Sequence, residues 1–159
     1  WHLGGISPQD QVNECTVAEL SGGNLMLNMR NYDRTQKARK ISISADGGLS
    51  WGTIYSDKTL IEPICQGSLL KQSFSGSNSG ELLFLNPADP DKRKNMTLRM
   101  SNDEGTSWTK SITIFSGPSA YSDLTSLPNG NIGCLYEAGI TNPYQGIIYQ
   151  EVSLSEFIE

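Results

Sequence analysis

The sequence has no long apolar run, no excess of positive charge and few cysteines. Its 159 residues include 12 Lys and Arg against 17 Asp and Glu, which gives a net charge of −5. A nucleic-acid partner is therefore not expected, and no stretch approaches the roughly 20 apolar residues that span a bilayer. Because Cys15, Cys65 and Cys134 have no metal-ligand spacing and each lies beside apolar residues, we expect buried free thiols.

A repeated turn motif is the first strong feature of the chain. Two copies of the pattern Ser-x-Asp-x-Gly-x-x-Trp, at Ser44–Trp51 and Ser101–Trp108, start 57 residues apart. The Asp side chain accepts bonds from nearby backbone N–H groups, and the Gly permits a positive φ. Since strand-like residues precede both copies, each is predicted to be the turn of a β-hairpin. We expect the Asp to bond within its turn and the Trp to be buried between strands.

A second repeat alternates with the first. Strand, turn, strand patterns surround Gly23, Gly80 and Gly130, at spacings of 57 and 50 residues, and the Ser/Gly/Asn-rich segment ending at Gly80 is predicted to be a loop. Each unit thus holds two hairpins, or four strands, which is the size of a propeller blade. We predict an all-β partial β-propeller of about three four-stranded blades in one domain, residues 1–159. The third unit lacks the turn motif and ends on a strand over Gly146–Val152.

Three further segments follow one another along the chain. They are Asn13-Glu14-Cys15 leading to Asn28–Asn31, then Cys65–Ser68, then Ala120–Leu124 leading to Gly133–Glu137. Together with the two turn motifs, known as aspartate boxes, their order resembles that of sialidases (neuraminidases). The resemblance implies a six-bladed propeller whose C-terminal half is present here. It also implies an exo-α-sialidase that cleaves terminal sialic acids from glycans with retention, through a tyrosine nucleophile and with no cofactor.

The resemblance implies that Tyr121 is the nucleophile and Glu14 its partner base. Sialic acid carries a carboxylate on its anomeric carbon, and a carboxylate nucleophile about 4 Å away would cost roughly 4 kcal/mol at an effective dielectric near 20. A neutral phenol avoids most of that repulsion, but its pKa near 10 makes a base necessary. The repeats support the pairing, because Glu14 and Tyr121 each lie nine residues before their marker, Gly23 or Gly130. We therefore predict a hydrogen bond between them, just before the first strand of each hairpin, with Arg30 nearby.

Arginines are expected to hold the substrate carboxylate, because a guanidinium fork fits carboxylate geometry and stays charged. The resemblance assigns this role to Arg30 and Arg93. Arg93 lies in the cluster Asp91–Lys94, which also fits a solvated charge group. Arg99, the rival, lies inside a strand and is expected to have a structural role.

Two further polar residues match the family. Glu137 lies seven residues after Gly130, as Arg30 does after Gly23, and the resemblance implies that it braces the family's first arginine. Gln66 is predicted to line the substrate pocket. A solvated strand end and an ordinary turn residue are the respective alternatives.

Other parts of the family's active site have no counterpart here. The motif that carries the first arginine is absent, and so is the acid/base aspartate, for which Asp33 and Asp123 are not substitutes. We therefore expect this chain alone to be inactive and, with strand edges exposed, to self-associate. The expected partners are sialylated glycans, and the expected location is secreted, periplasmic or cell-surface. A non-catalytic aspartate-box propeller that binds glycans or proteins is the alternative function, and trans-sialylation stays open.

Overall fold

A computed structural model describes residues 1–72 and 80–157, and these form an all-β structure. Most of the loop predicted ahead of Gly80 lies outside the described residues. Short 3-10 turns occur at Ser21–Gly23 and Leu154–Phe157. The ten strands are β1 (Val12–Glu19), β2 (Leu25–Asn31), β3 (Ala38–Ser44), β4 (Tyr55–Ile61), β5 (Ser68–Gln72), β6 (Glu81–Pro87), β7 (Lys94–Ser101), β8 (Lys110–Ser126), β9 (Ile132–Ala138) and β10 (Gly146–Val152).

The first sheet is a complete four-stranded unit. Strands β1, β2, β3 and β4 lie side by side in chain order, each antiparallel to the next. The turn Ser21–Gly23 joins the first pair, and the aspartate box that begins at Ser44 joins β3 to β4. This sheet, blade 1, matches the predicted repeat unit of two hairpins.

The second sheet contains the other two units, and they share a strand. Its order is β10-β9-β8-β7-β6-β5, all antiparallel. The first part of the 17-residue β8 pairs with β7, and the part from Ser119 onward pairs with β9. Blade 2 is β5, β6, β7 and the start of β8, whereas blade 3 is the rest of β8 with β9 and β10. The predicted three-unit partial propeller is confirmed, but separate strands were expected where β8 is continuous.

Two apolar cores lie between the blades, and β6 contributes to both. Leu82 and Phe84 belong to the core between blades 1 and 2, together with Met26 and Ile41 of blade 1. The alternate residues of β6, Leu83 and Leu85, belong to the core between blades 2 and 3. Because side chains alternate between the faces of a strand, one apolar strand packs against both neighbours.

Both aspartate boxes form the predicted turns. The Asp46 carboxylate accepts bonds from Ser50 N at 2.9 Å and Ser50 Oγ at 2.6 Å. Asp103 accepts the same two bonds from Ser107, at 2.8 and 2.6 Å. Each carboxylate therefore binds backbone inside its own turn, and the pKa of Asp46, lowered by these bonds with Ser50, is about 2.

The two box tryptophans differ in burial. Trp108 is 8 % exposed and packs on Phe84 between blades 1 and 2, where its Nε1 donates to Asp57 Oδ2 at 2.9 Å. Trp51 is only partly buried, and its Nε1 donates to the carbonyl of Gly5 at 3.2 Å. The prediction of a buried tryptophan is thus correct for the second box but not for the first, whose tryptophan meets an N-terminal loop instead of a sheet.

The cysteines are free, but their burial is not uniform. Cys65 and Cys134 are buried, and desolvation raises the pKa of these thiols to about 11 and about 12. Cys15 is exposed, contrary to expectation, because it follows a bulge in β1 and lies on the open face of blade 1. No helix among the described residues is long and apolar enough to cross a membrane. Within residues 1–72 and 80–157 there is also no group of three or more potential metal ligands.

Candidate active site

Glu14 occupies a β-bulge at the start of the first sheet. Its neighbours Asn13 and Cys15 lie opposite Arg30 and Met29, so that Glu14 is the extra residue in β1. Its φ is +32°, which is uncommon for a residue with a side chain. Bulges redirect side chains at the ends of strands. The expected position just before the strand is therefore wrong, since Glu14 lies inside β1.

Tyr121 occupies a second bulge, in β8. Ser119 lies opposite Ala138 and Ser122 opposite Tyr136, which leaves two residues of β8, including Tyr121, facing Glu137 alone. The Glu137 carboxylate accepts a bond from Tyr121 N at 3.1 Å. The matched sequence offsets of Glu14 and Tyr121 thus correspond to matched bulges in blades 1 and 3, and both lie within strands.

The two bulges bring their side chains into contact. The Tyr121 hydroxyl donates a hydrogen bond to one oxygen of Glu14, and Arg30 forms an ion pair with the other oxygen. Arg30 Nη1 also donates to the Tyr121 hydroxyl oxygen at 3.1 Å. The predicted hydrogen bond between Glu14 and Tyr121, with Arg30 nearby, is confirmed, whereas their catalytic roles stay predictions.

Glu14, Arg30 and Tyr121 form a corner in which the neighbouring charges and hydrogen bonds determine which groups are protonated. Burial raises the pKa of the Glu14 carboxyl, but bonds from Tyr121 and Arg30 outweigh it and hold the pKa below the ordinary value. The hydrogen bond to Glu14 raises the pKa of Tyr121, since it favours the protonated phenol. At neutral pH the corner therefore holds an ionised Glu14 that accepts a hydrogen bond from a neutral Tyr121.

Arg93 lies beside the same corner. Its guanidinium carbon is 5.6 Å from the centre of the Tyr121 ring. Its Nη1 donates to the hydroxyl of Tyr144 at 2.7 Å, and its Nη2 donates to the carbonyl of Ile64 at 3.0 Å. Arg99 is instead buried, and its Nη1 donates to Asn86 Oδ1 at 2.9 Å. The structure thus brings Arg93 to the candidate site and gives Arg99 a bond inside blade 2.

Comparisons with known proteins show the family of the chain. Residues 1–134 match the model of the BNR repeat-like domain. The chain belongs to that family. A sialidase of Micromonospora viridifaciens is 36% identical over 91% of this chain and 22% of its own length, and a sialidase of Bacteroides fragilis is 32% identical over 92% and 27%. The chain thus spans about a quarter of the length of these curated relatives.

A solved structure supports the same family. The Hadza microbial sialidase Hz136 superposes with a TM-score of 0.79 at 32% identity, over 92% of this chain and 28% of that one. The resemblance to sialidases with BNR repeats, based on the two boxes and three ordered segments, is confirmed.

Gln66 lies in the segment that joins blades 1 and 2 of this BNR repeat-like chain. Its amide nitrogen donates to the carbonyl of Ser122 at 2.9 Å, and its amide oxygen accepts from Ser122 N at 2.9 Å. Because Ser122 follows Tyr121 directly, these two hydrogen bonds from Gln66 hold the backbone next to Tyr121 in place. Direct contact of Gln66 with substrate stays a prediction.

Sequence reasoning missed three residues at or beneath the site. The exposed Tyr144, in the loop between β9 and β10, reaches Arg93, and no repeat or motif signals this contact. Arg39 and Glu62 are fully buried and form an ion pair of 2.7 Å. No pattern in the sequence signals this pair, because β3 also carries a lysine and two serines and Glu62 lies after the end of β4.

A cavity of about 220 Å³ opens beside Tyr121. Tyr121 and Glu137 line it together with the apolar side chains of Leu135 and Ile147. These two apolar residues are 45% and 69% exposed, so the cavity lies on the uncovered face of blade 3.

Proposed function

We propose that this chain supplies the nucleophile, its base and two carboxylate-binding arginines to an exo-α-sialidase. The observation that carries the proposal is the mutual contact of Glu14, Arg30 and Tyr121, which lie far apart in sequence. A glycan- or protein-binding module has no need of an ionised carboxylate that accepts a hydrogen bond from a phenol. This contact therefore favours catalysis over the alternative of a non-catalytic propeller.

The reaction proceeds in two displacements. As the Tyr121 oxygen bonds to the anomeric carbon, its proton passes to Glu14, and the bond to the leaving oxygen breaks with protonation of that oxygen by an acid. Water then attacks the same carbon and gives up a proton to the conjugate base of that acid, the bond to Tyr121 breaks, and Glu14 returns its proton to the phenol oxygen. Two inversions give net retention.

Arg30 and Arg93 act on the substrate carboxylate. Both guanidinium groups lie beside the phenol that attacks the carbon bearing that carboxylate. Fork-shaped donors fit a carboxylate and offset its charge near Glu14. The substrates are sialylated glycans, in line with the sialidases to which the chain is related. The protein acts in the periplasm, on the cell surface or after secretion.

The proposal includes an incomplete site. The acid that protonates the leaving oxygen and a further arginine are not assigned to any of these 159 residues, so the chain alone is inactive. The exposed apolar face of blade 3, with Leu135, Ile147 and Tyr149, and the open strand edges favour self-association of the isolated chain.

A fluorogenic sialoside assay tests the proposal, with this chain beside the complete enzyme that contains it. Tyr121→Phe should lower kcat/KM of the complete enzyme by about 10³-fold or more, since it removes the attacking atom. The matched control is Tyr149→Phe, which removes a hydroxyl from an exposed tyrosine of blade 3 and should change the rate little. Unchanged activity of Tyr121→Phe would contradict the role of Tyr121 as the nucleophile. Full activity of the isolated chain would contradict the claim that its active site is incomplete.

A further inference from the structure

A fully buried ion pair lies under the candidate site. Arg39 in β3 and Glu62, just after β4, are both 0% exposed, and their Nη1 and Oε2 atoms are 2.7 Å apart. Arg39 Nε also donates to Asn28 Oδ1 at 2.6 Å. Burying two charges costs several kcal/mol per ion before their attraction is counted, and an apolar pair of equal volume is often at least as stable. Stability alone therefore does not account for this pair.

The pair contacts the backbone of the segments that carry Glu14, Arg30 and Gln66. Arg39 Nη2 donates to the carbonyl of Glu14 at 3.5 Å. Glu62 Oε1 accepts from Asn31 N, the residue after Arg30, at 2.6 Å. Arg39 Nη1 donates to the carbonyl of Cys65 at 2.7 Å, directly before the residue that fastens the backbone beside Tyr121. One ion pair thus connects β1, β2 and the segment between blades 1 and 2.

The bulge at Glu14 needs such support. The positive φ of this residue is an unfavourable conformation that persists only where the surroundings enforce it. As the extra residue of the bulge, Glu14 has no partner of its own in the ladder with β2, and Arg39 lies beneath its carbonyl. Loss of this donor would allow the peptide to rotate and carry the carboxylate away from the Tyr121 hydroxyl.

Charge balance supports the same conclusion. Arg39 and Arg30 lie on neighbouring strands, and their like charges disfavour each other. Glu62 pairs with Arg39 and Glu14 pairs with Arg30, so each of the two arginines has a carboxylate partner of its own. Without Glu62, Arg39 would compete with Arg30 for Glu14.

We propose that the Arg39–Glu62 pair is a positioning pair, which holds Glu14 in its bulge and in contact with Tyr121. The pair does not touch substrate. Its role in catalysis rests on the proposed function of Glu14 as the base, whereas its effect on the Glu14 carboxylate can be measured without any activity.

The test follows the Glu14 carboxyl by carbon NMR from about pH 2 to pH 6, with its signal assigned by loss in Glu14→Gln. The charged and titratable groups that face this carboxyl are Arg30, Arg93 and Tyr121. Arg39→Lys keeps the charge but loses the fork, and it should raise the titration midpoint toward the ordinary value by roughly half a pH unit or more. The rise reflects lost hydrogen bonds to the ionised form.

The variant Glu62→Gln distinguishes the effect of a displaced Glu14 from the effect of the lost charge at residue 62. Removing the negative charge alone would lower the midpoint of Glu14, whereas displacement of Glu14 from its donors would raise it. The matched control is Arg99→Lys, because Arg99 is also a buried arginine bonded to an asparagine but contacts blade 2 instead of the corner. It should destabilise the fold to a similar degree and leave the midpoint of Glu14 unchanged.

The outcomes are distinct. A raised midpoint in both Arg39→Lys and Glu62→Gln, with none in Arg99→Lys, supports the proposal. Unchanged or lowered midpoints overturn it, and so does collapse of both corner variants while Arg99→Lys stays folded, since the pair would then serve the fold. In the complete enzyme Arg39→Lys should lower kcat at least tenfold with little change in KM. If Tyr121→Phe retains activity, the proposed function fails, while the titration still decides the positioning role.

Discussion

The two bulges that carry Glu14 and Tyr121 (the inner corners) and the two aspartate-box turns (the outer turns) are built in opposite ways. At the outer turns, Asp46 and Asp103 bind the same groups at nearly the same distances, 2.9 and 2.8 Å to the serine N. At the inner corners, Glu14 and Tyr121 share the same backbone device, a bulge, but carry different side chains. The repeat keeps both sequence and bonds at the turns, whereas at the corners it keeps only the position.

This difference suggests that the turns serve the stability of the fold, whereas the corners serve the proposed reaction. A turn that recurs unchanged has the same physical task in each blade, which is to close a hairpin. A corner that recurs in place but not in residue type can present a base from one blade and a phenol from another. The bulge supplies the direction of the side chain, and the residue supplies the reactivity. Substitutions should therefore affect activity at the corners and stability at the turns.

The largest expected effect comes from the corner of blade 1. Glu14→Gln in the complete enzyme should lower kcat/KM by about 10²–10⁴-fold, because a neutral amide cannot accept the phenolic proton. Sialoside hydrolysis measures the loss. The hairpin contacts of blade 1 do not involve this carboxylate, so circular dichroism should show a folded protein.

The same substitution in blade 3 is its matched control. Glu137→Gln keeps an oxygen that can accept from Tyr121 N, and it should cost less than about tenfold in rate. Equal losses at the two positions would remove the distinction between a reactive and a supporting corner. A stability loss at Glu14 without a loss of rate would assign the bulge to the fold.

The next effect distinguishes the two outer turns. Trp108→Ala should reduce the free energy of unfolding by about 3–5 kcal/mol, because it empties a site between blades 1 and 2 beside Phe84. Trp51→Ala should cost less than half as much, since that side chain is only partly buried. Urea unfolding of both variants measures the difference. Equal losses would mean that the boxes stabilise only their own turns.

Much of the fold was predictable, because hairpins are local. Strands around Gly23 and Gly130 follow from alternating residues and turn chemistry, and the matched offsets of Glu14 and Tyr121 correctly predicted their contact. The continuity of β8 could not be predicted, since a strand that passes from one blade to the next has no turn signal and depends on which neighbours it meets. The Arg39–Glu62 pair was also missed, because burial of both faces of a strand is a tertiary property.

The smallest effect is the acid sensitivity of the aspartate boxes. Hydrogen bonds from Ser50 lower the pKa of Asp46 to about 2, and bonds from Ser107 lower that of Asp103. A carboxyl whose pKa is lower in the folded chain stabilises it above the unfolded pKa, near 4, and loses that contribution as the pH falls toward 2. Asp46→Asn should therefore lower the thermal midpoint at pH 6, while at pH 2 the variant and the unaltered chain should unfold at similar temperatures.

Thermal unfolding followed by circular dichroism at several pH values checks this expectation. Asp103→Asn should behave in the same way, because it accepts the same bonds from its own turn. The two boxes share no partner, so the double variant should show the sum of the single shifts in midpoint. A shift that persists unchanged at pH 2 would show that the carboxylate charge is not the source of stabilisation. A shift at only one box would break the equivalence of the outer turns, and the repeat would then preserve their sequence for a reason other than closing the hairpin.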